Sequence, residues 1–115
     1  MLVKLDAAGN TITSRTYGGS NSDFAYGLAA TSDGGFALMG RSDSPSGGTS
    51  DLTTGTLSYD SWVIKVDAGG TKVWDKNYRF NDTDYGRDNG AGIATTASGE
   101  LLVIGSIAPG LNYYD

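Results

Sequence analysis

The sequence predicts an all-β chain assembled from four-stranded antiparallel units. Three observations carry that expectation. Short apolar runs are separated by segments rich in Gly, Ser, Thr, Asn and Asp, with 18 Gly against 2 Pro in 115 residues. Spacing of that kind encodes short strands joined by many turns. The stretch 61–78 (SWVIKVDAGGTKVWDKNY) restates the opening stretch 1–17 (MLVKLDAAGNTITSRTY). Lys4/Lys65, Asp6/Asp67, Ala7/Ala68, Gly9/Gly70 and Tyr17/Tyr78 all keep one offset of 61 residues, and self-similarity over such a length marks a stacked or circular architecture. Several strands are continuous apolar runs rather than strict alternations, as in FALMG at 36–40. Runs of that kind belong to sheets covered on both faces.

Taken in order, residues 1–5 form a loosely alternating first strand. Asp6-Ala7-Ala8-Gly9-Asn10 is turn chemistry: Asp and Asn bond their own backbone, and Gly accepts a positive φ. Thr11–Tyr17 is β-branched and aromatic, which suits a strand. Residues 18–25 are read as a loop, followed by the strand Tyr26–Thr31 with small side chains at Gly27, Ala29 and Ala30. Ser32-Asp33-Gly34-Gly35 is a hairpin turn leading to the apolar strand Phe36–Gly40. Residues 41–60 are a long polar loop. The second pass then runs through the strands Trp62–Val66 and Lys72–Tyr78, joined at Asp67-Ala68-Gly69-Gly70. After the loop 79–90 come the strand Ala91–Thr96, the turn Ala97-Ser98-Gly99 and the strand Glu100–Gly105. Leu28–Thr31 matches Ile93–Thr96 at an offset of 65, so the second loop is longer by about four residues.

Repetition of four-stranded sheets packed face to face gives the blades of a β-propeller. A parallel β-helix fits less well, because tight Gly turns join neighbouring strands here as antiparallel hairpins. The pattern W-V-I-K-V-D-A-G-G-x-x-V-W-x-K-x-Y, followed by T-S-D-G-G-F-A-L-M-G, resembles the propeller repeats found in tandem in secreted bacterial proteins, the SBBP-type repeat and its relatives. It also shares the strand–DG–strand grammar of WD-type blades. The resemblance covers nearly the whole chain. Departures between the two copies include Met1 opposite Trp62, Thr13 opposite Trp74, and Gly18-Gly19 opposite Arg79-Phe80. An extracellular or cell-surface setting is what the resemblance implies, although Lys4 and Asp6 interrupt any apolar leader at the start of this chain.

The phase of a WD-type blade puts the strand before the D-G turn innermost, where small residues suit a crowded axis. Residues 25–78 then make one complete blade. Residues 1–17 are the outer half of a preceding blade, and 91–107 are the inner half of a following one. The fold expected is therefore two blades' worth of strands per chain: one complete blade plus two half-blades. Open edges at the two ends are a liability, and pairing between subunits is the economical remedy. Val3, Leu5, Leu101 and Val103 are the expected interface residues. The contact would be heterologous and would close into a ring. A homotrimer or homotetramer is favoured, with six or eight blades, inside the range of about four to eight seen in propellers.

Composition narrows the function. Net charge is −5, which disfavours a phosphate-backbone partner. Apolar runs are too short to span a bilayer as a helix. The chain has no Cys and no His, so thiol chemistry and the commonest general base are absent. The expectation is a non-enzymatic binding scaffold that self-assembles by strand complementation. The rival readings are a carbohydrate-binding or carbohydrate-active propeller and a two-blade excerpt of a longer tandem protein.

The long loops fall on one rim, which is acidic and carries Tyr side chains. Asp23, Tyr26, Tyr59 and Tyr85 are the candidates for binding a glycan or a protein there. Asp82, Asp84 and Asp88 offer carboxylates at alternate positions that could wrap Ca²⁺. The loop lacks the Gly and Glu of an EF-hand, so turn-forming, solvated Asp is the preferred reading and no cofactor is expected. Trp62, Trp74, Tyr17 and Tyr78 lie inside strands and are expected to pack between blades. Asp6 and Asp67 are expected to cap their own turns.

Overall fold

The computed structural model describes residues 1–44, 60–78 and 88–107. Among them there is no helix. Eight strands follow in order: β1 (Leu2–Leu5), β2 (Thr11–Arg15), β3 (Asp23–Ala30), β4 (Phe36–Ser42), β5 (Asp60–Val66), β6 (Lys72–Tyr78), β7 (Asp88–Thr95) and β8 (Leu101–Ile107). They form three antiparallel sheets: β1-β2, β3-β4-β5-β6 and β7-β8. None of the sheets is closed.

Each tight hairpin is built the same way. An Asp or Thr/Glu side chain folds back on the turn, and a Gly takes up a positive φ. Asp6 accepts from the backbone N–H groups of Ala8 and Asn10 at 2.9 and 2.8 Å. Asp67 accepts from Gly69 and Thr71 at 2.9 and 2.8 Å. Both expected caps are therefore in place. Gly9 and Gly70 stand at φ 87° and 84°, a conformation that costs other L-residues about 1 kcal/mol or more.

The central sheet supplies the core. Strand alternation sends Leu38, Trp62, Ile64 and Val66 to one face, where they cluster with Phe36, Leu2 and Tyr17. The β1-β2 hairpin is thus packed on that face by apolar burial. Alternate residues Ala37, Met39 and Val63 point the other way and are equally buried. Strand β7 packs against β3, β4 and β5. There Gly27 lets Ile93 approach: a Cβ at Gly27 would sit 3.2 Å from Ile93 Cγ2. Strand β5, covered on both faces and both edges, is buried at every residue. That is the physical reason its centre, Trp62-Val63-Ile64, reads as an apolar run rather than an alternation.

Three strands begin earlier than the sequence pattern indicates, and the cause is local. Residues 23–25, assigned to a loop, belong to β3, and residues 88–90 belong to β7. Both strands carry an irregularity in register, between Ala25 and Gly27 and between Gly90 and Gly92. The bulge interrupts the alternation by one residue, so the polar lead-in looks like loop. Strand β5 begins at Asp60, a buried carboxyl-bearing residue paired with Ser42.

Candidate functional site

Two pairs of hairpins share their registers. In β1-β2 the partners are Leu2↔Arg15, Val3↔Ser14, Lys4↔Thr13 and Leu5↔Thr11. In β5-β6 they are Val63↔Lys76, Ile64↔Asp75, Lys65↔Trp74 and Val66↔Lys72. Each pair moves to the other by the same 61 residues, and the irregularity recurs at the same point, Lys4/Leu5 and Lys65/Val66. Likewise β7-β8 pairs Asp88↔Ile107 through Thr95↔Leu101, and β3-β4 pairs Asp23↔Ser42 through Ala30↔Phe36, at an offset of 65 with the bulge preserved.

In the central sheet, β4 joins the two kinds of hairpin by pairing Phe36↔Val66 through Ser42↔Asp60. The corresponding edges of β1 and β8 have no strand beside them among the described residues. The sheet faces differ as well, since β7 packs against β4. Ala37 and Met39 are 0% and 1% exposed, whereas Leu102 and Ile104, at the same places in β8, are 58% and 67% exposed. Val3 and Leu5 are also exposed. All four expected interface residues lie on these strands; Leu101 and Val103 are half-buried and Val3 and Leu5 exposed.

A cleft of about 660 Å³ opens beside β8. Its walls include Asp33, Lys65, Trp74, Lys76, Tyr78 and Leu101. Trp74 and Tyr78, expected to be inter-blade core, are half-buried there. Tyr17, by contrast, is held on the central sheet, and its hydroxyl donates to the carbonyl of Gly70.

Lys65 is the one cation of the described strands that the fold buries nearly whole. Its Nζ lies 2.9 Å from Asp33 Oδ2 and donates to the Val66 carbonyl at 2.9 Å. Asp33 also accepts from the Thr31 hydroxyl at 2.5 Å and from the Gly35 N–H at 3.0 Å. The Thr31 bond and then the Lys65 ammonium hold the Asp33 carboxyl far below its ordinary value. Glu100 accepts from the hydroxyls of Thr96 and Ser98, both at 2.7 Å, and these bonds lower its pKa.

The rim candidates divide. Asp23 does not lie in a loop. It opens β3, and its carboxylate accepts from the Ser42 hydroxyl at 2.5 Å, the Ser44 hydroxyl at 3.2 Å and the Gly19 N–H at 2.8 Å. These bonds pin the β2-β3 connection to the end of β4. Gly18 is required beside it, since a Cβ there would sit 2.3 Å from Asp23 Oδ2 at a φ of +142°. Asp23 is therefore structural, and nothing in the order of residues signalled its partners 19 and 21 positions away. Tyr26 sits in β3 and is exposed. Its ring stacks beside Phe24 at 6.5 Å, and the Arg41 guanidinium lies 4.6 and 5.8 Å from the two ring centres. Sequence reasoning misses this Arg-aromatic group because the polar run from Arg41 onward reads as loop, whereas Arg41 lies in β4.

Tyr59, Tyr85, Asp82 and Asp84 lie outside the described residues, as does the side chain of Asp88. Among the described residues no cluster of three carboxylate or imidazole groups could hold a metal. No family model matches the chain, and no curated protein matches it.

Proposed function

We propose that this chain is a non-enzymatic β-propeller module that closes into a ring by strand complementation. The inner half-blade β7-β8 of one copy is completed by the outer half-blade β1-β2 of the next. The observation that carries this reading is the coincidence of registers: β1-β2 has the pairing of β5-β6, and β7-β8 has the pairing of β3-β4. The two incomplete sheets are therefore the two halves of the complete one. Each open edge exposes apolar side chains, which makes an isolated chain prone to pair. A contact of this kind joins different surfaces on the two copies and closes when the rotation divides a full turn. Three or four copies give six or eight blades.

The ring would present its loop rim for binding a protein or glycan, with Tyr26, Phe24 and Arg41 as the aromatic and cationic group beside that rim. Light scattering tests the assembly. The expected mass is three or four times the 11.9 kDa of the chain. A folded monomer that persists on concentrating would overturn the ring.

A further inference from the structure

We infer that the interface between copies keeps the register of the chain's own β4-β5 pairing and the packing of its neighbouring sheets, with a Lys4–Glu100 ion pair between subunits taking the part that Lys65–Asp33 plays inside the chain. The inference deepens the ring reading and rests on it.

The trans register follows from β4-β5. That pair matches Phe36, Ala37, Leu38 and Met39 with Val66, Lys65, Ile64 and Val63. Carried over by the two offsets, Leu101 faces the partner's Leu5, Leu102 faces the partner's Lys4, and Val103 faces the partner's Val3. The partner's Lys4 therefore arrives where Lys65 lies relative to β4. Lys65 finds a carboxylate on the preceding turn, at Asp33. The matching turn position in the second hairpin is Ser98, which has no charge. Two residues later, Glu100 stands where the first hairpin has Gly35.

The carboxylate has moved along the turn without leaving its neighbours. Asp33 accepts from Thr31, and Glu100 accepts from the equivalent Thr96. Both Glu100 bonds fall on Oε2, which presents Oε1 to an incoming ammonium. The strand spacing changes in the same sense. A Cβ at Gly35 would lie 2.2 Å from the Val66 carbonyl oxygen. The same Cβ would lie 2.7 Å from Lys65 Nζ. Glu100 has that Cβ, so the partner's Leu5 carbonyl and the partner's Lys4 ammonium both stand further off than their counterparts, and the longer Glu side chain spans the added distance.

Two contacts on the sheet faces support the same seat. Tyr17 donates to the Gly70 carbonyl, and a Cβ at Gly70 would lie 3.0 Å from Arg15 Cγ. Gly9, with the same turn and nearly the same φ, would have nothing within 4 Å among the described residues. The equivalents of Tyr17 and Arg15 are Tyr78 and Lys76, which line the open cleft. A partner's hairpin in that cleft brings the partner's Gly9 to Tyr78. On the other side, Gly27 receives Ile93. Leu28, the counterpart of Ile93, is exposed, and the ring seats it against the partner's Gly92.

Charge exchange tests the pairing. The variants are Lys4→Glu, Glu100→Lys and the double variant, with Tyr78→Phe as a fourth. Native mass spectrometry and light scattering across a dilution series give the midpoint of dissociation. Each single reversal should raise that midpoint by about tenfold or more, since it sets like charges together. The double variant should return it to within about threefold of the parent. Tyr78→Phe should weaken assembly, while circular dichroism of each variant keeps the parent's strand signal. Singles that weaken the ring with no recovery in the double variant would overturn the ion pair and leave the ring standing. Singles that change nothing would do the same. A parent chain that is monomeric throughout would overturn the ring reading itself.

Discussion

Trp62→Ala is the sharpest probe of how the central sheet is held. Trp62 is 4% exposed and lies in the cluster of Leu38, Ile64 and Val66. It sits on β5, which is flanked by β4 and β6 through continuous pairing. Neighbouring backbone therefore cannot close the hole, and only the β1-β2 hairpin above it can settle. A cavity of about 40 Å³ already borders the indole, lined in part by Met1, Tyr17 and Leu38. Truncation enlarges that space. Large-to-small changes of this type cost about 3–5 kcal/mol, and poor collapse argues for the upper half of that range. Trp62→Phe should cost much less, about 1–2 kcal/mol. The ring is kept, and the lost Nε1 is buried with no acceptor among the described residues, so its removal leaves no hydrogen bond unmade. Urea unfolding followed by far-UV circular dichroism measures both, at matched chain concentrations because association adds to apparent stability. A loss below about 1 kcal/mol for Trp62→Ala would refute the packing argument.

Two further outcomes follow from the turns. Gly70→Ala and Gly9→Ala carry the same penalty for a positive φ, about 1 kcal/mol. Within one chain only Gly70→Ala also crowds Arg15 and Tyr17, so its melting midpoint should fall further at dilutions where the ring is dissociated, whereas in the assembled ring the neighbour's Tyr78 crowds Gly9 and the two falls should converge; equal falls in the dissociated chain would contradict the contact. Acid should destabilise the fold. Asp33, with an ordinary value of 3.8, is held lower in the folded chain. Its contribution is complete above about pH 4 and is lost as pH falls toward the folded value. Glu100 and Asp6 act in the same direction. Asp33→Asn should flatten the acid limb of a melting-temperature profile recorded at low salt, and an unchanged limb would remove Asp33 from the account.

Residue order alone specifies eight strands, the four tight turns and the likeness of the paired hairpins. It could do so because those properties are local. A Gly that must take a positive φ, and an Asp that accepts from the amides two and four residues on, act within five residues. The repeat then carried the argument further, since Lys4 and Lys65 share an offset that the registers of β1-β2 and β5-β6 keep. What sequence order could not determine depends on separation in space. Asp23 meets Ser42 and Ser44 only once β3 and β4 pair across a bulge. Arg41 covers Phe24 and Tyr26 for the same reason. Gly35 is buried beneath a carbonyl from Val66, and that one close approach separates the first hairpin from the second, where Glu100 stands. Tertiary packing also decided which of two identical turns is covered. Gly70 lies under Tyr17 and Arg15 while nothing among the described residues reaches Gly9, because the β1-β2 hairpin packs on the central sheet and no described hairpin packs on the turn of β1-β2 in the same way.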